Sequence, residues 1–283
     1  RRPNLIGHYI EMISIFPHAA AQFAVVFGGD SLFARDVYLG SLLKTVGYAI
    51  PMVGLFLDYA KAHRAEAQLL ATQEKLHIAR NVQQDLLPKS IPEIDSFAIA
   101  GMSVPANAVG GDYYDVLAMP EDHWGIVVAD VSGHEIGSAI LMSQTRAYLR
   151  ALGSASSDAI PLLRRLSHFL NHDVRGSRFV CLLFARIHPR QETADVFCLG
   201  HEAYLVRADG STEQIATQSA PLGIAGELED LEPQVIKFRE GDLLLFVTDG
   251  ITETLSPHGE QYGMDRVLET IAVLRDESPD ALL

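Results

Sequence analysis

The sequence predicts an α+β fold, an antiparallel β-sandwich flanked by α-helices (αββα), preceded by a helical linker and a partial membrane segment. Three features predict it. Beyond Ile91 the chain breaks into short aliphatic runs separated by turn residues, with two longer helical stretches in their midst. From Asp58 to Leu87 neither Gly nor Pro interrupts the chain. Leu39 to Leu57 is apolar and, as a helix, just long enough to cross a hydrocarbon core of roughly 30 Å.

Taken in order, the apolar stretch is weakened by Lys44 and Pro51. A membrane helix tolerates both, since lysine can snorkel toward an interface and proline is common in such helices. Lys61 and Arg64 follow it, as the positive-inside rule expects. A buried core helix is the competing reading. Tyr9 to Phe27 is a poorer span because it carries Glu11, Pro17, His18 and Gln22. Next, Ala65, Leu69, Thr72, Leu76, Ala79, Gln83 and Leu86 recur at spacings of four and three, which is heptad spacing. Thr72 and Gln83 dilute that seam, so a helix packed on its own domain competes with a two-helix linker through which two copies would form a homodimer. The expected divisions are 1–57 (partial membrane or sensor segment, membrane helix at 39–57), 58–90 (signalling helix or coiled-coil linker) and 91–283 (globular domain).

Within the globular part, strands are predicted over Phe97–Val104, Gly110–Leu117, Trp124–Val131, Phe179–His188, Thr193–Leu199, Ala203–Arg207, Gln234–Phe238 and Asp242–Thr248. Helices are predicted over Ile136–Leu152 and Asp158–Asp173, the second with Pro161 in its first turn. Composition narrows the function. The net charge of −14 argues against nucleic acid, which needs clustered Lys and Arg. Cys181 and Cys198 are the only cysteines and neither belongs to a CxxC pair, so zinc and a disulfide framework are not expected and a reducing, cytoplasmic compartment fits best. The chain has no initiator Met and no signal-peptide pattern, and is read as a fragment.

Three segments carry the chemistry: GGDYYDV around Asp112, GIVVADVSGH around Asp130 and LLLFVTDG around Asp249. The latter two run an aliphatic strand straight into an aspartate. A carboxylate at the mouth of a buried strand is unfavourable unless it is paired or bound to metal, and few Lys or Arg lie near these in sequence. Gly110, Gly111, Gly133 and Gly250 remove side chains where an ion and a phosphate would approach the backbone. Carboxylates without nearby His or Cys select hard ions, Mg2+ or Mn2+, and two such ions about 3.5–4 Å apart can share and activate a water. Each aspartate alone also reads as an ordinary turn residue; it is their joint occurrence that favours metal.

The three segments, in order, resemble the phosphatase domain of the stage II sporulation protein E and RsbU branch of the bacterial metal-dependent (PPM-type) serine/threonine phosphatases. The resemblance spans Ala79 to Leu283 through ARNVQQDLLP (Ala79–Pro88), PANAVGGDYYDV (Pro105–Val116), ADVSGHEIGSAILMS (Ala129–Ser143), the Gly200-His201 turn, APLGI (Ala220–Ile224) and GDLLLFVTDGITET (Gly241–Thr254). It implies two Mn2+ or Mg2+ ions and hydrolysis of phosphoserine or phosphothreonine by a metal-bridging hydroxide, without a phosphoenzyme. On that resemblance Asp130 bridges both ions, Asp112 and Asp249 each hold one, and the Val131 carbonyl is a further ligand. The implied substrate is a phosphorylated anti-sigma-factor antagonist of the STAS type.

The chain also departs from the family. Glu135 stands where Gly is usual, and Cys181 and Cys198-Leu199 replace more common residues. The family's closing Asp-Asp-x-Thr strand, which supplies another ligand, has no counterpart before Leu283, so 91–283 is read as a phosphatase domain lacking its last strand. A lone His in a glycine turn is more often a structural hydrogen bonder, which is the default reading of His134 and His201. There is no GxSxG, HExxH or GxxxxGK[ST]. A pseudophosphatase binding module and a membrane signal-sensing scaffold are the alternatives.

Overall fold

The computed structural model describes residues 15–17, 19–22, 35–105, 109–133, 136–174, 178–224, 226–275 and 277–283. The chain divides into two compact units, Arg1–Lys75 and Leu76–Leu283. In the first, residues 15–17 and 19–22 are helical, and a long helix, α1 (Arg35–Leu86), begins. Most of the apolar stretch Tyr9–Phe27 lies outside the described residues. Helix α1 keeps Pro51 inside it, and from Asp58 onward it is rich in Ala, Leu, Gln and Glu, the residues that lose least on entering a helix. It stops just before Pro88, since a residue preceding proline is steered away from helical backbone angles. From Tyr38 the helix is long and apolar enough to cross a membrane by length and composition, with Leu42, Met52, Leu55 and Phe56 exposed.

The second unit is α+β with antiparallel sheets. Its strands are β1 (Tyr113–Met119), β2 (His123–Val131), β3 (Val180–His188), β4 (Thr193–Leu199), β5 (Ala203–Val206), β6 (Thr212–Ile215), β7 (Gln234–Lys237) and β8 (Leu243–Leu245). Helices α2 (Ile136–Ala155) and α3 (Ala159–Val174) follow β2, while α4 (Asp249–Thr252), α5 (Met264–Leu274) and α6 (Pro279–Leu282) close the chain. One sheet runs β1-β2-β3-β4-β7 and the other β6-β5-β8, every pair antiparallel.

Alternation along the strands sorts the apolar side chains into three clusters. Val127, Ala129 and Val131 of β2 pack with Phe184 and with Leu141 and Leu149 of α2 and Leu162 and Leu166 of α3. The other face of the same sheet, through Leu183, Ala185, Val196 and Cys198, packs with Ala203, Leu205 and Ile215 of the second sheet. Beyond it, Val206 and Val247 pack with Val267 and Ile271 of α5.

Several expected boundaries move. Phe97–Val104 is not a strand: Phe97 makes only an isolated bridge to Ile94, and Met102 and Val104 are exposed at 57% and 76%. Apolar alternation without a neighbouring strand has no ladder to join. The expected strand at Gly110 starts only at Tyr113, and the one over Asp242–Thr248 shrinks to Leu243–Leu245. Strand β6 was not expected, because of its four residues only Ile215 is buried and TEQI shows no alternation. Helix α5 was not expected either.

Candidate active site

Strand direction gathers the predicted residues at one end of the sheets. Asp130 and Val131 close β2 and face Cys181 and Val180 of β3. Tyr113 pairs with Ala129, so Asp112, the residue before β1, arrives across from Asp130. In the second sheet, Tyr204 near the start of β5 pairs with Leu245 at the end of β8. The chain leaving β8 therefore delivers Thr248 and Asp249 to the same end. Thr248 ties the two sheets' contributions together, its hydroxyl donating to Asp112 Oδ2 at 2.8 Å.

The electrostatics show what this shared end of the sheets does. Asp130 is pushed up to about 7, first by burial, then by the charges of Asp112 and Asp249, by a hydrogen bond shared with Asp112, and by the charge of Glu253. Like charges in a desolvated place favour a shared proton or a cation. Cys181, opposite Asp130 in register, is pushed up to about 11 by burial and by the charges of Asp130 and Asp249, so it stands as a neutral thiol. Burial likewise raises Cys198 to about 11. Gly111 is required sterically: a Cβ there would lie 2.4 Å from the Val131 carbonyl oxygen.

The donor set is therefore hard oxygen, suited to Mg2+ or Mn2+. Its geometry is looser than its electrostatics: among the described residues, no three His, Cys, Asp or Glu side chains converge as a metal-binding group. Carboxylates that repel one another spread apart, and a cation draws them in.

Glu253 and Gln83 escaped the sequence reading. Glu253 follows Asp249 by four residues, one helical turn, which is the signal that could have found it. The spacing of Gln83 fits a heptad seam. It is instead buried, its amide donating to the Gly110 carbonyl at 2.6 Å and accepting from the Gly110 N–H at 3.0 Å. The end of α1 thus holds the loop that presents Asp112. Replacing Gln83 with Ala removes both bonds, at about 1–3 kcal/mol for buried groups left unmatched. The expected result is a melting temperature lower by roughly 2–12 °C, given 2–4 °C per kcal/mol for a domain of this size; an unchanged melting curve would show the contact to be dispensable. His201 sits at this end, after β4, with a buried Nε2 that has no protein partner, and His134 lies outside the described residues.

Residues 120–283 match the family described as Stage II sporulation protein E (SpoIIE). Asp130 and Asp249 fall inside that match, while Asp112 precedes it. Phosphoserine phosphatase RsbU of Bacillus subtilis is 25% identical over 226 residues, covering 77% of this chain and 67% of RsbU. The chain spans only 35% and 46% of two further curated relatives. Among solved structures, the RsbU and RsbW domains of a Mycobacterium tuberculosis protein share 27% identity at a TM-score of 0.54, over 63% of this chain and 50% of theirs. The SiaA-PP2C domain of Pseudomonas aeruginosa aligns at a TM-score of 0.61 and 16% identity, over 76% of this chain and 87% of its own, a likeness of fold alone. The α+β arrangement is thus PP2C-like. With a match running from the turn before β2 to the last residue, more than half of its length, the chain belongs to the SpoIIE family.

Proposed function

We propose that the chain is a divalent-metal-dependent phosphatase that hydrolyses phosphoserine or phosphothreonine on a protein, with a STAS-type anti-sigma-factor antagonist as substrate in bacterial signalling. The observation that carries this reading is the mutual repulsion of Asp112, Asp130 and Asp249 at one end of the two sheets. RsbU is named as a phosphoserine phosphatase, which supports the reaction class. Asp112, Asp130, Asp249 and the Val131 carbonyl would hold two Mn2+ or Mg2+ ions. When bound, such ions supply a water of lowered pKa and neutralise charge on phosphate oxygens. The protein's own part is to orient the carboxylates: the β1–β2–β3 register fixes Asp112 and Asp130, Thr248 holds Asp112 by its hydroxyl, and Gly111 admits the Val131 carbonyl.

We read the three apolar clusters as the layers of an αββα sandwich filling 91–283. Residues 39–57 are read as a membrane span and 58–90 as a signalling linker, through which a second copy would pair. The phosphatase then faces the cytoplasm. A non-hydrolysing binding module is the second reading, favoured by the carboxylates that do not converge. One experiment separates the two: Mn2+ titration by calorimetry, with hydrolysis of p-nitrophenyl phosphate followed in parallel. Metal binding together with turnover that EDTA abolishes is the expected outcome. Absence of a Mn2+ site would sink the phosphatase.

A further inference from the structure

The rim beside the carboxylates carries apolar side chains that the fold does not use. Ile136 and Ile140 lie one helical turn apart on α2 and are exposed at 51% and 63%. Ile224 is exposed at 55%, and Phe179 at 36%. Arg178 links them. Its guanidinium lies over the first turn of α2, so that a Cβ on Gly137 would come within 2.6 Å of Nη2, and Nη1 donates to Ser138 Oγ at 3.1 Å. Gly137 and Ile140 are neighbours on the helix surface by their i,i+3 spacing. On the other side, Gly223 sits against the Arg178 carbonyl and the Phe179 Cα, so the segment leading to Ile224 runs along the Arg178–Phe179 backbone.

This rim is joined to the carboxylate end by β-type contacts. The Ser132 N–H donates to the Phe179 carbonyl at 2.9 Å, and the Phe179 N–H donates to Ser132 Oγ at 3.0 Å. Arg178 thus comes opposite Gly133, three residues past Asp130, or about 10 Å along the strand direction. That separation suits recognition of the segment flanking a phosphorylated residue.

We propose that Ile136, Ile140, Phe179 and Ile224 form a docking shelf for the phosphoprotein substrate, selecting an apolar side chain next to the phosphoserine. Arg178 offers its remaining N–H groups to the backbone carbonyls of that segment. Acidic flanks are disfavoured, because Asp112, Asp130, Asp249 and Glu253 crowd the neighbouring ground. This proposal rests on the phosphatase reading for the identity of its occupant.

The test uses the whole chain and fluorescent phosphoserine peptides on a Gly-Ser scaffold, with Leu, Ser or Asp flanking the phosphoserine. Binding is read by anisotropy with Mn2+ present and the phosphoserine replaced by its non-hydrolysable phosphonate, so that no turnover enters the measurement. Wild type should bind the Leu peptide about tenfold more tightly than the Asp peptide, the scale expected for partly burying one leucine. The Ile140→Ser/Ile224→Ser variant, altered only at exposed positions, should lose that preference. Equal affinities in wild type, a preference that survives in the variant, or no binding of any peptide would overturn the shelf. Hydrolysis of p-nitrophenyl phosphate with Mn2+ is measured separately on wild type. Its absence would remove the phosphatase reading, and the peptide preference would still decide the docking proposal.

Discussion

Replacing Asp130 with Asn is expected to lower metal-dependent phosphatase activity on the order of 10³-fold or more, while making the metal-free protein more stable. The activity loss follows from position: Asp130 feels the charges of both Asp112 and Asp249, and losing one charged group that organises a transition state is worth about that factor. The stability gain follows from linkage. Asp130 titrates near 7 in the folded chain, against an ordinary value of 3.8, so between those values the folded state holds a proton that the unfolded state has released. Stability therefore falls as pH rises from the ordinary carboxylate range through about 7. Asn removes the charge and with it that decline. In EDTA at pH 8 the variant should melt several degrees higher, equivalent to about 1–2 kcal/mol. At pH 4 the two proteins should melt alike. A variant that loses activity and also melts lower at pH 8 would mean that Asp130 holds the fold together, and the site assignment would go with it.

Asp130 and Asp249 are legible in the sequence because each ends an aliphatic run, where an unpaired carboxylate is unfavourable. Asp112 is legible through its glycines, and Gly111 proves to be needed for the approach to the Val131 carbonyl. Glu253 is not legible, since one more acidic residue on a chain of net charge −14 draws no attention until the short helix brings its charge to bear on Asp130. Gln83 shows a different limit. Its spacing fits a heptad, yet periodicity cannot tell a partner helix from the chain's own loop, and the bonds to Gly110 decide the matter locally. In the fold, β2, β3 and β4 are read to within a residue because both their faces are apolar. Strand β6 is invisible because three of its four side chains are polar and exposed. Phe97–Val104 has the opposite fault, an apolar run with no ladder to join.

The largest loss of stability is expected from Arg150→Met. The Asp115 carboxylate is fully buried on β1, and Arg150 of α2 grips it with two bonds of 2.7 Å, from Nε and from an Nη. Tyr113 donates its hydroxyl at 2.5 Å and the Val116 N–H adds another bond at 2.9 Å. Burial and then the charge of Asp115 drive the Tyr113 hydroxyl well above its ordinary range, so it remains a donor at any working pH. Methionine keeps the stem of Arg150 but leaves a buried charge without its counter-ion, which costs about 3–5 kcal/mol. Asp115→Leu/Arg150→Met should recover a large part of this, because an apolar pair of similar volume is often no worse than a buried ion pair. Urea unfolding of wild type, both single variants and the double variant should give a coupling of at least about 2 kcal/mol. The Arg150 side chain is 45% exposed, so solvent screening is the competing physics. A loss below about 1 kcal/mol would show that water and the two neutral donors suffice. The result bears on function as well as on stability: Asp112 is the residue immediately before β1, and the Arg150–Asp115 pair pins that strand against α2. The single variant should therefore bind Mn2+ more weakly while still folded, and the double variant should restore binding along with stability.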